Sequence, residues 1–434
     1  MNACIIGAGI SGLTAAWTLL EQVPQEFRDI HIIEKKNHVG GLVNTRYIGN
    51  KFYDFGPHIF HSHDELILSL MKQELKERGF YDIKTIAKSY WNKKFYDYPL
   101  SVDSILNLPK ELQRKVLIEL YKLCPNNKHE ATNFSEFVRG LVGDTLYKIF
   151  FEKYTKKLWG ISPTQIPSEW APKRISFRVN DKTFFGVNEW EVYHKNGIKE
   201  ITNFLFEKIQ RHKNKVRLLF NSEVLSITNT GGAYKLRVLN KNTNEIVRLD
   251  CDILISSMPL DELLLKLGAK PKPLIFRSSI VVFLELNREF PILPANWIYL
   301  NEENYPFTRI FEQPSLLNKY HGNTWITIEY HINKDSKMWK MANPEIVNRT
   351  TQFLESLGLV SQEDIINWDV WKEAYTYPVL TFETLENLKY NTKLINNFKN
   401  VITVGRLGKF RYMNMDETIS DTIRTIKNKI IRGA

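Results

Sequence analysis

Cysteine is scarce in this 434-residue chain, and long apolar runs are missing. The three cysteines, Cys4, Cys124 and Cys251, are far apart and odd in number, which excludes a disulfide framework and gives no metal-ligand spacing. No stretch approaches the roughly 18 continuous apolar residues of a membrane span, and the apolar N-terminus lacks the basic segment of a secretory signal. We therefore expect a cytoplasmic protein with no metal ion and no membrane span.

Negative charge is in deficit, since 59 Lys and Arg against 48 Asp and Glu give a net charge of +11. The lysines are scattered, without a long basic block or a repeated basic–aromatic strip. We therefore interpret the excess as a solvated surface and expect no nucleic-acid partner. An excess of positive charge also suits an anionic substrate. The length and the 43% hydrophobic content allow two or three domains with a large core.

The first sixty residues carry the strongest motif. An apolar strand-like run at 3–6 leads into a G-x-G-x-x-G turn at 7–12, an apolar helix-like run, and a second strand that ends in Glu34. In such a turn the first glycine permits a tight bend, the second lets the backbone approach a pyrophosphate, and the third lets the helix pack on the strand. The helix N-terminus offers unpaired N–H groups to phosphates. Glu34, placed where a carboxylate binds ribose hydroxyls, completes a dinucleotide-binding pattern.

The residues after Glu34 favour FAD over NAD. They contain a Gly40-Gly41 pair followed by Leu42. An acidic ribose ligand followed by a Gly-Gly turn resembles the FAD-binding fingerprint of the amine oxidase and mutase flavoproteins, in which the Gly-Gly backbone passes close to the cofactor. A glycine pair alone marks only a tight turn, so the interpretation depends on its coupling to the preceding motif.

Periodicity gives a coarse division of the chain. Helical spacing covers most of 101–159, with a helix start at Ser101 and apolar spacing over 134–151. The segment 195–260 returns to α/β, with a helix at 198–211 and strands at 216–220, 223–228, 234–239 and 252–257. Alternating aromatic-rich strands occupy 275–335. A short buried strand at 401–404 precedes a helix from Asp416.

These elements predict an α/β protein with a Rossmann-like, discontinuous FAD-binding domain, a helical insert and an antiparallel β-sheet substrate domain. We assign 1–78, 196–270 and 385–434 to the FAD-binding domain. The helical insert is 100–160. The substrate domain is 79–99, 161–195 and 271–384.

Segments distributed over nearly the whole chain resemble the UDP-galactopyranose mutase family. They are Gly56–His61, Tyr154–Gly160, Lys173–Arg178, Phe276–Ser278, Tyr305–Ile310, Tyr375–Val379 and Gly405–Tyr412. As a set they are more specific than any single motif. The resemblance implies a flavin-dependent isomerase that interconverts the pyranose and furanose forms of a nucleotide-diphosphate sugar, by attack of N5 of reduced FAD on the anomeric carbon, without net redox change.

The resemblance also implies roles for individual residues. Arg174 and Arg309 match diphosphate ligands, Arg277 and Arg406 match positions that line the flavin and substrate pocket, and His58 matches a histidine beside the flavin ring. The catalytic set is therefore His58, Arg277, Arg309 and Arg174. The substrate-binding set is Tyr154, Trp159, Arg174, Phe185, Arg309, Tyr377 and Tyr412. The cofactor-binding set is Gly7, Gly9, Ser11, Gly12, Glu34, Lys35, Gly41, Leu42, His58, Val224, Gly405, Arg406, Tyr412, Asn414 and Met415.

Arginine suits the diphosphate because its guanidinium makes planar, bidentate contacts and keeps its charge. A lone arginine is more often part of a surface ion pair. However, Arg277 and Arg309 lie in apolar or aromatic strand-like runs, where burial without a partner is costly. We therefore expect an anionic ligand to be the partner of both arginines. For His61 a structural role in this loop stays open beside a functional one.

The chain departs from the mutase pattern at two positions. Phe184-Phe185 replaces a tyrosine that the family uses near the substrate, and Asn414 replaces an aspartate. The segments 168–175 and 296–299 also resemble protoporphyrinogen-oxidase-like relatives. These departures leave the sugar and the base open.

Two other classes of function stay open. One is an FAD-dependent oxidase or desaturase of the protoporphyrinogen oxidase or amine oxidase type. The other is a non-catalytic protein that binds nucleotides or nucleic acid, against which the whole flavin and arginine series argues. For the mutase, the expected partners are the sugar nucleotide, an external reductant such as NAD(P)H and, as a family expectation, a second copy in a homodimer.

Overall fold

The computed structural model describes residues 1–123, 131–169 and 183–431, which form the α/β fold that the sequence predicts. The strands are β1 Asn2–Ile6, β2 Asp29–Ile33, β3 Thr45–Ile48, β4 Lys51–Asp54, β5 Phe60–Ser62, β6 Tyr81–Asp82, β7 Ala87–Trp91, β8 Lys94–Tyr98, β9 Trp190–Tyr193, β10 Val216–Leu219, β11 Ser222–Asn229, β12 Tyr234–Asn240, β13 Glu245–Cys251, β14 Ile253–Ser256, β15 Phe276–Glu289, β16 Trp297–Leu300, β17 Arg309–Glu312, β18 Asn323–Ile332, β19 Ile365–Pro378 and β20 Val401–Thr403. The α-helices are α1 Ile10–Gln22, α2 Glu65–Glu77, α3 Val102–Leu106, α4 Lys110–Lys122, α5 Phe134–Leu146, α6 Lys153–Trp159, α7 Glu200–Gln210, α8 Leu260–Lys266, α9 Lys337–Lys340, α10 Asn343–Ser356, α11 Phe382–Ile395, α12 Gly405–Gly408 and α13 Met415–Ile426.

A five-stranded parallel sheet in the order β10-β2-β1-β14-β20 forms the nucleotide-binding part of the fold. Its central strand β1 pairs on both sides, with Ile5 opposite Ile32 of β2 and Ile255 of β14. Parallel strands are covered on both faces and therefore read as continuous apolar runs rather than alternating ones. Strand β14 is buried along its whole length, as this rule requires. The strands predicted at 216–220, 252–257 and 401–404 are confirmed.

Helix α1 lies close against β1 because Gly12 has no side chain. A Cβ built at Gly12 would lie 1.9 Å from the carbonyl oxygen of Gly7, so a larger residue there would move the helix away from the strand. Inside the helix, the hydroxyls of Thr14 and Thr18 donate to the carbonyls of Ile10 and Thr14 at 2.7 and 2.8 Å, which satisfies these buried polar groups. The third glycine of the motif therefore has the packing role that the spacing predicts.

A seven-stranded, mainly antiparallel sheet in the order β19-β15-β18-β17-β16-β7-β8 forms the second large unit. Its long strand β15 alternates between two cores: Val281 and Phe283 pack on the side of the nucleotide-binding part, while Ile280 and Val282 pack on the opposite side. The opposite face is covered by α10, whose Ile346 is fully buried there. The sheet is thus buried on both faces. The face toward the nucleotide-binding part is the one that can form a wall of a site between the two units.

The helical segment is built from caps and apolar spacing that the sequence already contains. The Ser101 hydroxyl accepts from the Ser104 N–H at the start of α3, and the Asn133 side chain accepts from the Glu136 N–H at 3.0 Å at the start of α5. A π-helical turn at Tyr147–Glu152 joins α5 to α6. The helices predicted over 134–151 and after Ser101 are confirmed, and the following helix α6 contains Tyr154 and Trp159.

Smaller sheets complete the fold. The strands β11, β12 and β13 form an antiparallel sheet beside the parallel one, which accounts for the predicted strands at 223–228 and 234–239. The strands β5, β9 and β6 form a sheet in which His61 lies opposite Glu191. In the three described stretches, no helix is long and apolar enough to cross a membrane.

Candidate active site

One cavity of about 710 Å³ is lined by residues from the glycine turn, the His58 loop, the helical segment and the antiparallel sheet. The structure brings most of the predicted site residues to this cavity. They are Gly7, Gly9, Ser11, Glu34, Lys35, Gly41, Leu42, His58, Tyr154, Trp159, Phe185, Val224, Arg309, Tyr377, Arg406, Tyr412, Asn414 and Met415. Their individual roles stay predictions.

The glycines make room for a ligand at one end of the cavity. The backbones of Gly9 and Gly41 pass so close that a Cβ at Gly41, where φ is +60°, would lie 3.2 Å from the Cα of Gly9. At Gly405 a Cβ would lie 2.1 Å from Oγ of Ser11, so Gly405 admits Ser11 rather than lining the cavity itself. The N–H groups at the start of α1 open into this space. A cradle of bare backbone beside a helix N-terminus fits a pyrophosphate.

Glu34 is fixed at the end of β2, beside the same turn. Its side chain is buried, with Oε2 accepting from the Ala8 N–H at 2.8 Å and Oε1 accepting from the Lys36 N–H at 2.9 Å. Each carboxylate oxygen has a second lone pair. The carboxylate is therefore oriented before any ligand arrives, and its remaining acceptor capacity fits the hydroxyls of a ribose.

His58 lines the cavity and has a buried ring nitrogen. Its Nδ1 atom is buried and has no hydrogen-bond partner among the described residues. Burial, reinforced by the positive charges of Arg406 and Arg309, lowers the pKa of His58 to about 3. The imidazole is therefore neutral at physiological pH. A neutral ring with an unsatisfied buried nitrogen fits a site that a bound heterocycle completes.

Arg309 lines the cavity and is ion-paired with a carboxylate. Its Nε donates to Oε2 of Glu329 on the neighbouring strand β18, and the Glu329 side chain is only 5% exposed. Burial alone would lower the pKa of Arg309, but Glu329 outweighs it and raises that pKa well above its ordinary value. The two terminal nitrogens of a guanidinium carry four further N–H donors. Arg309 can therefore bind an oxyanion while Glu329 holds its other edge.

Arg406 lies beside a pair of tyrosines. The rings of Tyr377 and Tyr412 stack with centroids 5.7 Å apart and planes within 5°, and the Arg406 guanidinium lies 5.0 and 4.7 Å from their centroids. Arg406 also donates to the carbonyl oxygens of Met413 and Thr376. These contacts hold a second cation at the cavity wall, with two phenol groups next to it.

Arg277 does not line the cavity, so the expectation placed on it is wrong in this respect. The guanidinium is buried and donates to the backbone carbonyls of Lys157, Leu158 and His331 and to the side chain of Asn333. It connects the end of α6 to the antiparallel sheet. Burial accordingly lowers the pKa of Arg277 to about 10.

The argument from unpartnered burial is also wrong. For Arg277 the partners are carbonyl groups, and for Arg309 the partner is Glu329. Neither arginine requires a ligand as its sole partner.

Arg174 and the segment 173–178 lie within 170–182, outside the described residues. Cys124 also lies outside the described residues. Gly12, like Gly405, supports the cavity without lining it.

An aromatic wall was missing from the sequence-based site. The cavity is also lined by four aromatic residues, Tyr98, Phe184, Trp297 and Tyr299. The distance between ring centroids is 4.8 Å in both the Phe184–Trp297 and the Tyr98–Tyr299 pair. A signal was available in the sequence, since Trp297 and Tyr299 alternate along one strand and therefore share a face. The family resemblance places Phe184-Phe185 near the substrate, but no local pattern predicts that Phe184 will pack against Trp297.

Glu329, His61 and Glu189 were likewise not assigned to the site. Glu329 follows no motif, and it reaches Arg309 because β17 and β18 pair with Arg309 opposite Glu329. His61 lines the cavity and is bonded to Glu189, which lies 128 positions away in the sequence. Long-range pairings of this kind leave no trace in local spacing.

Comparison with known proteins gives a consistent family. The model of the flavin-containing amine oxidoreductases matches residues 10–384. The dTDP-fucopyranose mutase of Escherichia coli is 29% identical over 217 residues, a match that spans about half of each chain, 48% of this one and 54% of that one. A probable UDP-galactopyranose mutase of Klebsiella pneumoniae is 24% identical over 437 residues, covering 98% of this chain and 93% of that protein.

A solved structure shares the whole fold. The crystal structure of a reduced UDP-galactopyranose mutase matches with a TM-score of 0.79 at 20% identity, covering 100% of this chain and 96% of that one. The chain belongs to the flavin-containing amine oxidoreductase family. It is a flavoprotein, and its cofactor is FAD.

Proposed function

We propose that this protein is a flavin-dependent isomerase that interconverts the pyranose and furanose forms of a nucleotide-diphosphate sugar. The observation that carries the proposal is the placement of Arg309 and Arg406, with Tyr154, Tyr377 and Tyr412, in the same cavity as the glycine cradle. Two fixed cations suit the diphosphate of a sugar nucleotide, whereas they would repel a cationic amine substrate. The names of the two relatives described above support the same activity.

In this proposal the protein binds and orients, and the cofactor supplies the reactive group. Reduced FAD, when bound, supplies a nucleophilic N5 for the anomeric carbon. Arg309 and Arg406 hold the nucleoside diphosphate, so that the departed group stays within reach of the sugar for its return. Neutral His58 offers its buried Nδ1 to the bound ring. Arg174 is proposed as a further diphosphate ligand on the basis of the family resemblance alone.

The substrate is proposed only as a class. UDP-galactopyranose and dTDP-fucopyranose are the first two compounds to test, because they are the substrates that the relatives' names contain. An external reductant such as NAD(P)H, a homodimer and a cytoplasmic location complete the proposal.

Turnover of a panel of sugar nucleotides by the reduced holoenzyme, followed by proton NMR, tests this function. We expect furanose signals to appear for at least one nucleotide sugar under anaerobic conditions, and the oxidised protein in air should consume no oxygen when the same sugar nucleotide is added. Absence of any isomerisation over a panel that includes both named compounds would contradict the proposal.

The aromatic wall favours a second candidate. Tyr98, Phe184, Trp297 and Tyr299 form a largely apolar surface, which suits an amine or porphyrinogen substrate of an FAD-dependent oxidase. Oxygen-coupled turnover of such a substrate, with no binding of UDP or dTDP, would favour this oxidase over the mutase.

A further inference from the structure

His61 contributes a titratable ring to the cavity wall that the proposed function has not used. Its ring stacks on Phe185 with centroids 3.7 Å apart and planes 25° apart, and its side chain is 13% exposed. Its Nδ1 lies 2.8 Å from Oε1 of Glu189. Because a carboxylate only accepts, Nδ1 carries the hydrogen of this bond, and Nε2 is the nitrogen left to exchange a proton with a molecule in the cavity.

Glu189 connects this ring to the surface. Its second oxygen, Oε2, lies 3.0 Å from Nδ1 of His63. The side chain of His63 is 84% exposed, whereas that of Glu189 is 11% exposed. Burial alone would raise the pKa of Glu189, but His61 and His63 outweigh it and lower that pKa. Glu189 also raises the pKa of His63. One buried carboxylate is therefore shared by a histidine in the cavity and a histidine in solvent.

Charged groups from other elements surround the pair. Asp416, at the start of α13, accepts from the Ser62 hydroxyl at 2.9 Å, and burial raises its pKa. Asp64 pairs with Arg424 at 2.9 Å. Lys84 donates to the backbone carbonyl of Glu189 at 2.8 Å rather than to its carboxylate. The carboxylate of Glu189 is thus the one charged group in direct hydrogen-bond contact with both histidines among the residues that the structure describes.

We propose that His61, oriented by Glu189, is the residue that exchanges protons with the sugar, and that His63 keeps this pair in equilibrium with solvent. The proposal rests on the proposed mutase function. As the bond between the anomeric carbon and the ring oxygen breaks, its electron pair stays on that oxygen, which takes the proton of Nε2–H, and the lone pair of the flavin N5 would compensate the anomeric carbon. As the 4-hydroxyl oxygen bonds to the anomeric carbon, its proton goes to Nε2. The two transfers cancel over a turnover, so no external acid or base is consumed.

His61 is a catalytic residue in this proposal, while Glu189 and His63 are positioning residues. If the protonated ring starts the reaction, kcat falls on the alkaline side of the pH profile. Removing the negative charge in Glu189→Gln disfavours the protonated ring and moves the alkaline limb to lower pH. Removing the competing donor in His63→Gln leaves Glu189 wholly to His61 and moves that limb to higher pH. A purely structural role for the three residues predicts no such opposite displacements.

The kinetic test uses holoenzymes of His61→Gln, Glu189→Gln and His63→Gln, with His321→Gln at an exposed loop as the matched control. We expect His61→Gln to lower kcat by about 100-fold. Its affinities for UDP and dTDP, probed by fluorescence, should stay within about threefold of wild type, because the loss concerns the chemical step. His321→Gln should match wild type. A His61→Gln variant that retains FAD and has wild-type kcat would overturn the proposal, as would alkaline limbs that coincide in all variants.

A second readout does not depend on turnover. Nitrogen NMR of protein labelled with ¹⁵N-histidine should show His61 with hydrogen on Nδ1, and Glu189→Gln should change that resonance and the resonance of His63 together. A wild-type ring with hydrogen only on Nε2 would contradict the shared carboxylate even if the enzyme proves to be a mutase. If the wild-type protein isomerises no sugar nucleotide while the NMR result is as expected, the mutase function fails and the proton-exchange role falls with it, although the geometry of the pair stands.

Discussion

Arg309 and Glu329 form a buried ion pair at the wall of the cavity, across the paired strands β17 and β18. The pair also contacts the His58 loop, since a Cβ at Gly56 would lie 3.1 Å from Oε1 of Glu329. Glu329 accepts from Nε of Arg309 and so fixes the guanidinium. The terminal nitrogens of Arg309 can then donate to an oxyanion without a large reorganisation. Glu329 therefore positions the arginine on which the proposed diphosphate site most depends.

Arg309→Ala should weaken binding of UDP or dTDP by roughly 1.5–3 kcal/mol, about 10- to 150-fold, because one charge-assisted contact is lost. It should also lower the stability, because Glu329 is left buried without its partner. In the double variant Arg309→Ala/Glu329→Gln we expect stability to recover while affinity does not. Isothermal titration and thermal denaturation measure the two effects. Arg28→Ala, at a side chain 79% exposed, is the control, and nucleotide affinity equal to wild type in Arg309→Ala would refute the assignment.

Gly12→Ala should abolish FAD retention, because its Cβ would lie 1.9 Å from the Gly7 carbonyl oxygen and would displace α1 from the cradle. The absorbance of the purified protein near the flavin bands measures this loss. Gly140→Ala is the matched control, since its Cβ would meet nothing within 4 Å in the middle of α5. The control should be neutral or more stable by about 0.5–1 kcal/mol, through helix propensity. A yellow Gly12→Ala protein with full flavin content would show that the close approach is not required.

His58 should stay neutral across the working range. Burial and the nearby Arg406 and Arg309 lower its pKa to about 3. Its imidazole resonances should therefore not titrate between pH 5 and pH 9. Histidine NMR of the oxidised protein, with His58→Gln for assignment, makes this measurement. A His58 transition near pH 6.5 would mean that the ring is more solvated than the structure places it.

Asp54 should make the protein less stable as the pH rises through about 6. Burial raises the pKa of Asp54 to about 6, against opposing hydrogen bonds from Thr45, Tyr193, Ile198 and Gln313. The pKa of Asp54 is higher in the native state than in the unfolded state. Its stabilising contribution to the free energy of unfolding is therefore complete below about pH 4 and is lost above about pH 6. The difference between these two limits is about 3 kcal/mol. The difference in the free energy of unfolding between wild type and Asp54→Asn should follow this curve in urea titrations. A difference that is constant from pH 4 to pH 8 would contradict it.

Local patterns predicted the parts of the site that are continuous in sequence. The glycine turn, Glu34 and the Gly40-Gly41 pair each depend on backbone geometry that a few neighbouring residues determine. The apolar spacing of 134–151 and the strands of the parallel sheet were likewise sufficient to predict their elements. The family resemblance added His58, Arg309, Arg406 and the tyrosines, which the structure places around one cavity.

The remainder depends on pairings between distant segments. Nothing near Arg309 indicates that Glu329 will lie opposite it, because that contact follows from strand register in the folded sheet. Arg277 was expected to contact the ligand because its strand is apolar, but carbonyls of α6 satisfy it. Phe184 meets Trp297 across more than a hundred residues. Such contacts are set by tertiary packing, which local propensity does not encode.

The measurement that tests the central claim most directly is a reductive titration of one anaerobic sample with dithionite. The titration is done once with UDP-galactopyranose and once with dTDP-fucopyranose. At each step the flavin absorbance gives the fraction of reduced flavin, and NMR gives the rate of furanose formation. The proposed function predicts no isomerisation by the oxidised protein and a rate that rises in proportion to the reduced flavin. Equal rates in the oxidised and reduced states, or no furanose from either compound at full reduction, would contradict it.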